Sequence, residues 1–261
     1  MSKITGFVCM HVFPSIQNIV SDGKFYIEKR AISGQPHEGW VVDPPSVFPH
    51  ERWVALSDGN SGLAVLSEGL PEHNIVPDGD EMYIALTLLR CIGWLSVQDN
   101  PSRPGHAGPP AQTPDAQCQG SYTFRYALLP FSGDFQEDLV LNASRQFDAK
   151  PQVKQLHQTP LSHPASLSLL QLSPSTLVMS TIKKSEDGKY MCLRFYNSKE
   201  TAVDARIEGD LAVKEVWRAR ADETAIEQIG YQELKLDIDF TVDGYEIVTL
   251  LLDVDWPASV E

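Results

Sequence analysis

The sequence predicts an all-β fold, in which a large β-sandwich with one short helix is followed by a smaller β-sandwich. Short apolar stretches, several of them alternating with polar residues, recur along most of the chain. Turn motifs rich in glycine, aspartate and asparagine separate these stretches, and only one stretch has convincing helical spacing. Together these three observations are typical of a protein built from many short strands.

Residues 7–32 are predicted to form two strands, FVCMHVF and KFYIEKRAI, around a turn at Ser21, Asp22 and Gly23. The second strand largely alternates apolar with polar residues, which indicates a half-buried strand. The proline-rich residues 33–51 are predicted to be irregular.

Residues 52–69, RWVALSDGNSGLAVLSEG, predict a β-hairpin, because two apolar runs flank a Ser-Asp-Gly-Asn turn. Residues 82–96, MYIALTLLRCIGWLS, are almost continuously apolar, and periodicity alone does not separate helix from strand there. The β-rich neighbours and Gly93 favour a central strand that is covered on both faces.

A long proline-rich segment, NPSRPGHAGPPAQTPDAQC, occupies residues 100–118 and contains five prolines. Proline lacks a backbone N–H, so residues 100–115 are predicted to form a loop. Since core-like stretches flank it, we expect an ordered excursion from a sheet, not a linker between domains.

After this loop, residues 121–130 predict a strand and residues 133–148, GDFQEDLVLNASRQFD, predict the one helix. Asp134 is the expected N-cap, with Glu137 three positions later. The polar, proline-containing residues that follow are read as a domain boundary, which gives a first domain at 1–150, a connector at 151–166 and a second domain at 167–261.

The second domain is predicted to be a β-sandwich, because short strands recur at regular spacing. Turn motifs lie at residues 186–188, 197–200, 208–210 and 242–244. The predicted strands between and around them are TLVMSTIKKS, KYMCLRFYNS, AVDARIEG, LAVKEVWRARA and LKLDIDFTVDGYEIVTLLLDV.

Composition excludes some classes of function. The net charge of −14 argues against a nucleic-acid partner, because phosphate backbones require a basic face. No run of about 18 apolar residues exists and the start has no signal-peptide pattern, so a cytoplasmic protein is expected. The four scattered cysteines, three of them in apolar runs, favour free thiols over disulfides or a metal cluster.

No complete catalytic motif is present. The seven histidines include no pair at the spacing of a zinc-binding helix and no His-X-Asp, and the chain has no Gly-X-Ser-X-Gly, phosphate-binding glycine loop or Cys-X-X-Cys. Many of the 35 carboxylates sit in turns, where a turn-forming role explains them. A glycosidase pair among them stays open, because such residues meet only in three dimensions.

A few residues are candidates for binding, each with a structural alternative. Arg90 lies in an apolar run, where it either pairs with a carboxylate or binds substrate. Asp58 and Gly59 either form the hairpin turn or contribute to a site, and Arg103 and His106 either line a pocket or lie at an exposed loop tip.

Several segments resemble the carboxy-terminal half of glycoside hydrolase family 38, the α-mannosidases, and in particular the bacterial branch that includes mannosylglycerate hydrolases. The resemblance spans residues 25–197 in the family's order, and beyond it the likeness is one of β-rich character only. The segments that carry it are FYIEKRAI, VFPHERWVALSDGNSGLAVLSEGLPEH, IALTLLRCIGWLS, RPGHAGPPAQTPDAQCQGSYTFRYALLPFSGD and LVMSTIKKSEDGKYMCLRFYN.

The resemblance implies a division of labour. The family's zinc ligands and aspartate nucleophile lie in an amino-terminal β/α domain, which is followed by a helical bundle and a large, supersandwich-like β region. This chain is then expected to hold no catalytic residue, metal or cofactor of its own, and zinc is expected in the catalytic domain. That domain is the expected partner, and the mannoside is contacted only indirectly. Residues 100–118 and the Asp58–Gly59 turn are expected to face that domain, with Asp58, Gly59, Arg90, Arg103, His106 and Gln117 as the substrate-binding or interface candidates.

Two other functions stay open. One is an independent carbohydrate-binding module, whose exposed aromatics stack on sugar rings; Trp40, Trp217 and Trp256 are its candidates. The other is a complete hydrolase with an unrecognised carboxylate pair.

Overall fold

The structure, a computed structural model, describes residues 4–12, 16, 18–32, 38–40, 45–100, 103–105, 108–153, 155, 168–231 and 235–255. For residues 4–12, 18, 99–100, 103–104 and 231 it describes the backbone. The chain forms two compact units, Met1–Lys150 and Pro151–Glu261. The predicted connector at 151–166 lies mostly outside the described residues and stays a prediction.

The N-terminal unit contains eleven strands, a 3-10 turn at Pro114–Gln117 and one helix in the described residues. Its strands are β1 (Ile4–Val12), β2 (Asn18–Gly23), β3 (Tyr26–Ala31), β4 (Val47–Pro49), β5 (Trp53–Ser57), β6 (Ser61–Glu68), β7 (Glu72–Asp78), β8 (Glu81–Cys91), β9 (Asp99–Asn100), β10 (Arg103–Pro104) and β11 (Arg125–Ser132), and its helix is α1 (Glu137–Asp148).

Two antiparallel sheets form this unit, in the orders β1-β8-β7-β4 and β11-β6-β5-β2-β3. Alternate residues of the strands point to one side, where a single apolar core joins both sheets. Its buried members are Ile16, Ile19, Val54, Leu56, Val65, Leu70, Ile75, Ile84 and Leu86. The predicted central strand is confirmed as β8, which pairs with β1 and β7 and has four consecutive buried residues, 84–87.

On the face of the five-stranded sheet that points away from the shared core, aromatic side chains pack together just before helix α1. The ring of Phe135 stacks on buried Trp53 at 5.4 Å and contacts Phe131 edge-on at 6.5 Å. Val140 and Leu141 are the helix's buried apolar residues. Both faces of this sheet are therefore apolar, which explains why β5 reads as a continuous apolar run.

The C-terminal unit is a second sandwich. Its strands are β12 (Gln171–Ser173), β13 (Leu177–Lys184), β14 (Met191–Asn197), β15 (Val203–Gly209), β16 (Val213–Ala219), β17 (Ala225–Tyr231), β18 (Leu236–Val242) and β19 (Ile247–Val254). A five-stranded sheet β13-β14-β19-β16-β17 and a three-stranded sheet β12-β15-β18 share an apolar core around Phe195, Ile207, Leu236 and Leu250. The predicted all-β fold with one helix is confirmed.

A buried asparagine links two loops at one end of this second sandwich. Asn197 donates from Nδ2 to the carbonyls of Thr201, at 2.8 Å, and Asp243, at 3.0 Å. The next backbone N–H, of Ser198, donates to the carbonyl of Thr176 at 3.1 Å. The asparagine thereby satisfies carbonyls that lie beyond the strand ladders.

Two predictions in the first half of the chain were wrong. Residues 21–23 do not form a turn, because they end β2, and the turn falls at Lys24–Phe25. Asp134 is not the helix cap, since α1 begins at Glu137 after Gln136, without a side-chain capping bond. The reason is that the preceding Gly133 is held by backbone bonding to the hairpin turn, where its N–H donates to the carbonyl of Asn60 at 2.7 Å.

Candidate functional site

The described part of the proline-rich segment forms an antiparallel arm after β8, in line with the expected ordered excursion from a sheet, although β9 and β10 pair within the predicted loop. The Leu95 N–H donates to the Ala111 carbonyl at 2.8 Å, and the Thr113 N–H donates to the Gly93 carbonyl at 3.0 Å. Further out, β9 and β10 pair residue by residue. Prolines are tolerated because an isolated two-stranded arm has outward-facing positions that require no N–H donor. We call residues 92–118 the arm.

Side chains brace the base of the arm. The Thr113 hydroxyl donates to the Ile92 carbonyl at 3.0 Å, and the Tyr122 hydroxyl donates to the Cys118 carbonyl at 3.0 Å. Gln117, a predicted candidate, lies in the 3-10 turn, and its buried Nε2 has no hydrogen-bond partner among the described residues. An amide nitrogen in this state favours an incoming acceptor, since an unsatisfied buried donor is destabilising.

Exposed apolar side chains cluster along the chain in the arm base and the strand that follows it. On β11, Leu128 lies opposite buried Val65 and so faces the core side of the sheet, yet about half of Leu128 is exposed. The sandwich is thus open at this edge strand. The members, between 37% and 60% exposed, are Ile92, Trp94, Leu95, Tyr122, Tyr126 and Leu128, and we call them the arm surface. Exposed apolar patches of this kind are typical of interaction surfaces.

Arg90 is held by an ion pair. Its Nη1 lies 3.1 Å from Glu72 Oε2, on the neighbouring strand β7, and the arginine side chain is largely exposed. The structural alternative for this residue, a charge paired with a carboxylate near a strand end, is therefore present in the fold.

The Asp58–Gly59 turn is also explained by local chemistry. Asp58 Oδ1 accepts from the backbone N–H groups of Ser61, at 2.9 Å, and Asn60, at 2.8 Å, and these bonds lower the pKa of Asp58. Gly59 adopts φ +89°, a conformation that side-chain-bearing residues rarely take. The Ser57 hydroxyl donates to the Gly133 carbonyl at 2.8 Å, which ties the turn to the end of β11.

The structure does not bring this turn and the arm together. In the β6–β11 ladder, Ser61 pairs with Ser132 at the turn end and Glu68 pairs with Arg125 at the arm end. Seven residue steps separate the two ends, which is about 24 Å of strand. Arg90 and Gln117 belong to the arm end, the backbone of Arg103 lies in β10, and His106 lies outside the described residues. The roles of all six candidates in binding stay predictions.

A buried polar chain in the N-terminal unit was missed by the sequence analysis. His50 Nε2 lies 2.9 Å from the Ser67 hydroxyl, which donates to the Leu70 carbonyl at 3.3 Å. His50 Nδ1 lies 3.2 Å from Nδ1 of His73. Because the serine hydrogen is used on Leu70, His50 donates from Nε2 and accepts at Nδ1, so His73 donates from its own Nδ1.

Burial favours the neutral form of both histidines in this chain of bonds. Burial lowers the pKa of His50 from 6.5 to about 4. Burial, with the neighbouring His50 and Arg30, lowers the pKa of His73 from 6.5 to about 3. No local motif reveals the pair, since His50 and His73 are 23 residues apart and meet because the three-residue strand β4 pairs with β7.

Asp22 is a second buried titratable group that the sequence analysis did not select. Desolvation raises the pKa of this carboxyl from 3.8 to about 7, although Arg52 lowers it. Arg52 pairs instead with Asp148, the last residue of α1, at 3.1 Å. The described residues include no group of three or more His, Cys, Asp or Glu side chains placed to hold a metal ion.

The comparisons define the class of protein. Residues 176–250 match the family model described as the C-terminal β-sandwich domain of family 38 glycosyl hydrolases. Residues 176–250 therefore correspond to the carboxy-terminal β-sandwich domain of glycoside hydrolase family 38. The match includes residues 202–250, so the expectation that the last sixty residues share only β-rich character was wrong.

Sequence relatives extend the likeness over most of the chain. A putative mannosylglycerate hydrolase of Halalkalibacterium halodurans is 33% identical over 205 residues, which is 78% of this chain and 21% of that protein. Alpha-mannosidase 2C1 of Mus musculus and of Homo sapiens are each 26% identical, over 82% and 81% of this chain and 18% of each relative. The chain thus spans about a fifth of the length of these curated relatives.

Solved structures show the same fold. An alpha-mannosidase from Enterococcus faecalis V583 superposes with a TM-score of 0.62 at 20% identity, over 94% of this chain and 25% of that one. A family 38 glycosyl hydrolase protein from Enterococcus faecalis superposes with a TM-score of 0.64 at 20% identity, over 94% and 26%.

In the described residues, no helix has both the length and the apolar character needed to span a membrane.

Proposed function

We propose that this chain is the non-catalytic β portion of a zinc-dependent, retaining α-mannosidase-type glycoside hydrolase. In this proposal it packs on the catalytic domain and helps to line the sugar pocket. The observation that carries it is coverage: most of this chain aligns with about a fifth of each curated relative, so the chain corresponds to one segment of a larger enzyme.

The arm surface supports the packing role. Burying the exposed remainder of an aromatic or branched side chain contributes about 1 kcal/mol each, and six such side chains lie there. The backbone bonds of the arm restrict it before any contact forms, which reduces the entropy lost on docking. Because the Asp58–Gly59 turn lies at the far end of β6, the proposal assigns docking first to the arm.

Zinc belongs to the proposal through the family resemblance and is assigned to the catalytic domain. The described residues of this chain do not offer a ligand cluster that fits the metal, so the proposal assigns no zinc ligand and no catalytic step to them.

A cytoplasmic location is also proposed. The support is that Cys91, Cys118 and Cys192 are free thiols, as is usual in a reducing compartment.

The purified chain tests the non-catalytic role directly. With added zinc we expect no release of nitrophenol from 4-nitrophenyl α-D-mannoside above that of a mock preparation. Zinc-dependent turnover that co-purifies with the chain would overturn the proposal and favour a complete hydrolase with an unrecognised carboxylate pair.

A chimaera tests the packing role. The matching segment of the Halalkalibacterium relative is replaced by this chain, and hydrolysis of the aryl mannoside is compared with that of a truncated enzyme. We expect activity in the chimaera and a loss of about tenfold in its Leu95→Ser variant, with no loss in Ile182→Ser, a matched exposed residue of the C-terminal unit. A folded but inactive chimaera, or equal effects of the two substitutions, would count against docking through the arm.

An independent carbohydrate-binding module is the second candidate, and one observation favours it: the Trp40 side chain is 56% exposed. Trp217 is half-buried, packs on the Cys192–Leu251 cluster and donates from Nε1 to Glu215 at 3.0 Å. Trp256 lies outside the described residues. Titration of mannose into the full chain tests this candidate, and binding lost in Trp40→Ala would support it.

A further inference from the structure

A pocket of about 350 Å³ lies in the N-terminal unit, beside the β2–β3 hairpin. Its far side is formed by the residues that follow β4 and the residue that precedes β7. This volume is at the lower end of the range for small-molecule sites. No candidate from the sequence analysis lies in it.

Rings without a net charge form part of the pocket wall. The Tyr26 ring packs directly on Gly23, where an added Cβ would lie 2.8 Å from the ring. Pro49 and Pro71 flank His50, whose backbone N–H donates to the Pro71 carbonyl at 3.1 Å. The wall is thus held by a close glycine contact and a backbone bond.

The histidine in this wall brings no charge to the pocket. Both ring nitrogens of His50 are engaged, Nε2 with Ser67 and Nδ1 with His73. Burial lowers the pKa of His50 to about 4 and so opposes a charge on this ring.

Two ion pairs and the carboxyl of Asp22, which burial keeps uncharged below about pH 7, supply the polar part of the lining. Lys24 Nζ lies 2.9 Å from Glu51 Oε1, and Arg30 Nη2 lies 2.6 Å from Glu28 Oε1. The Arg30 guanidinium also lies 4.9 Å from the centre of the Phe48 ring. These four charges sum to zero while presenting both strong donors and strong acceptors.

We propose that this pocket binds a neutral polyhydroxylated molecule of monosaccharide size. Hydroxyl groups donate and accept at once, so they can accept from Lys24 and Arg30 and donate to Glu28 and Glu51 without separating either pair. The C–H face of such a molecule packs on the Tyr26 ring. A charged ligand that displaces Arg30 or Glu28, whose side chains are 35% and 18% exposed, leaves the other charge of that pair partly buried and without compensation.

This inference goes beyond the proposed function, because a scaffold requires no ligand of its own. The turnover assay and a binding titration fail independently of each other. A scaffold that does not bind this ligand would give an active chimaera and no response in the titration. A binding protein that does not dock would give the reverse.

The test is an NMR titration of the full chain with methyl α-D-mannopyranoside, D-glucosamine and D-glucuronate. We expect the neutral glycoside to bind with a Kd of about 1–10 mM, and the cationic and anionic sugars to bind about tenfold more weakly. The shifted amides are expected to be those of Gly23, Lys24 and Tyr26.

Two substitutions of Tyr26 distinguish the contribution of its ring to binding from an effect on folding. Tyr26→Ala is expected to weaken binding of the glycoside about tenfold, whereas Tyr26→Phe retains it, since Phe keeps the ring. Tyr122→Ala, a matched exposed tyrosine on the arm surface, is expected to leave the titration unchanged.

The proposal is overturned if the wild-type chain shows no shifts at the hairpin, if the shifts map to another surface, or if a charged sugar binds more tightly than the neutral one. The wild-type readout decides the matter even if a variant does not fold.

Discussion

The two sandwiches of this chain differ in what they bury. Among the described residues, the buried carboxyl and imidazole side chains are Asp22, His50 and His73, all in the N-terminal unit. The buried polar residues of the C-terminal unit are serines, a threonine and an asparagine, none of which carries a charge at any ordinary pH. Similar architecture is therefore compatible with two different responses to pH.

The difference follows from where each polar group lies. In the C-terminal unit, core positions on both sheets are apolar and charges are confined to the surface, as in the ion pairs that Arg206 makes with Glu208 and Asp237. In the N-terminal unit, His50 follows the three-residue strand β4 and meets His73 on β7, so a neutral hydrogen-bonded chain lies within this sandwich.

The largest expected effect tests whether the apolar cores are equivalent. Leu86→Ala in the N-terminal unit and Leu250→Ala in the C-terminal unit each remove a fully buried side chain. We expect each to lower the free energy of unfolding of its own unit by about 2–5 kcal/mol. Amide hydrogen exchange of β8 and β19 measures the two units separately. If both variants lowered the stability of the same unit only, the two apolar cores would not be equivalent.

The second-largest expected effect is the pH dependence of stability that Asp22 causes. Because its pKa is raised from 3.8 to about 7, the folded unit holds this carboxyl neutral below pH 7 and loses stability as pH rises toward and through 7. The charged groups around the carboxyl are Glu51, Arg52, Arg145 and Asp148. Asp22→Asn is expected to raise the free energy of unfolding at both pH values, by about 2–4 kcal/mol more at pH 8 than at pH 5, because the penalty grows by about 1.4 kcal/mol per pH unit between 3.8 and 7.

Urea unfolding at the two pH values, followed by hydrogen exchange in β5, measures this difference. Asp80→Asn, an exposed carboxyl in the turn between β7 and β8, is the control and should change nothing. Equal stabilisation at both pH values would mean that ionisation of Asp22 is not the cause.

A smaller effect is expected on acidification of the unmodified protein. Both histidines have folded-state pKa values below 6.5, so each contributes stability above that pH and loses it as pH falls toward 4 or 3. Each loses at most about 1.4 kcal/mol per pH unit, and protonation of Asp22 gains a similar amount with the opposite sign. Between pH 6 and 4.5 the N-terminal unit is expected to lose a net of about 1 kcal/mol per pH unit.

The C-terminal unit in the same sample is the internal reference for that measurement. Hydrogen exchange of β6 should accelerate relative to that of β14 as pH falls, after correction for intrinsic rates. Parallel acceleration in both units would contradict a role for the buried histidines.

The smallest effect concerns the hairpin turn. Gly59→Ala places a side chain at φ +89°, where space is sufficient but the backbone conformation is strained, and we expect a loss of about 1 kcal/mol. Gly93→Ala, whose added Cβ makes only an ordinary contact 3.7 Å from Gln117, is the matched control. Thermal unfolding compares the two, and an equal response would show that the turn conformation does not matter.

Local signals explain which parts of the fold were predictable. The β5–β6 hairpin followed from its turn residues, and β8 followed from an apolar run that is covered on both faces. Strand β7, EHNIVPD, was missed because it mixes polar residues and a proline, and its place comes from pairing with β8. The ordered excursion was predicted, but the pairing inside the arm was not, since backbone bonds between residues far apart in sequence hold it.

The candidate site shows the same limit. The sequence selected Arg90 and Gln117 at the arm end, but no pattern indicated that Asp58 would lie about 24 Å of strand away. The hydrogen-bonded histidines and the pocket beside Tyr26 depend on which strands become neighbours. Topology, not local spacing, brings such groups together.

The anchored Asn197 also affects how the protein ages. An asparagine followed by serine deamidates when the serine nitrogen attacks the side-chain carbonyl carbon, but here that nitrogen is bonded to Thr176 and the amide is held by two carbonyls. Ring closure to the succinimide therefore requires this end of the C-terminal sandwich to open. The isoaspartate content at position 197 in stored protein consequently records how long that sandwich has spent unfolded.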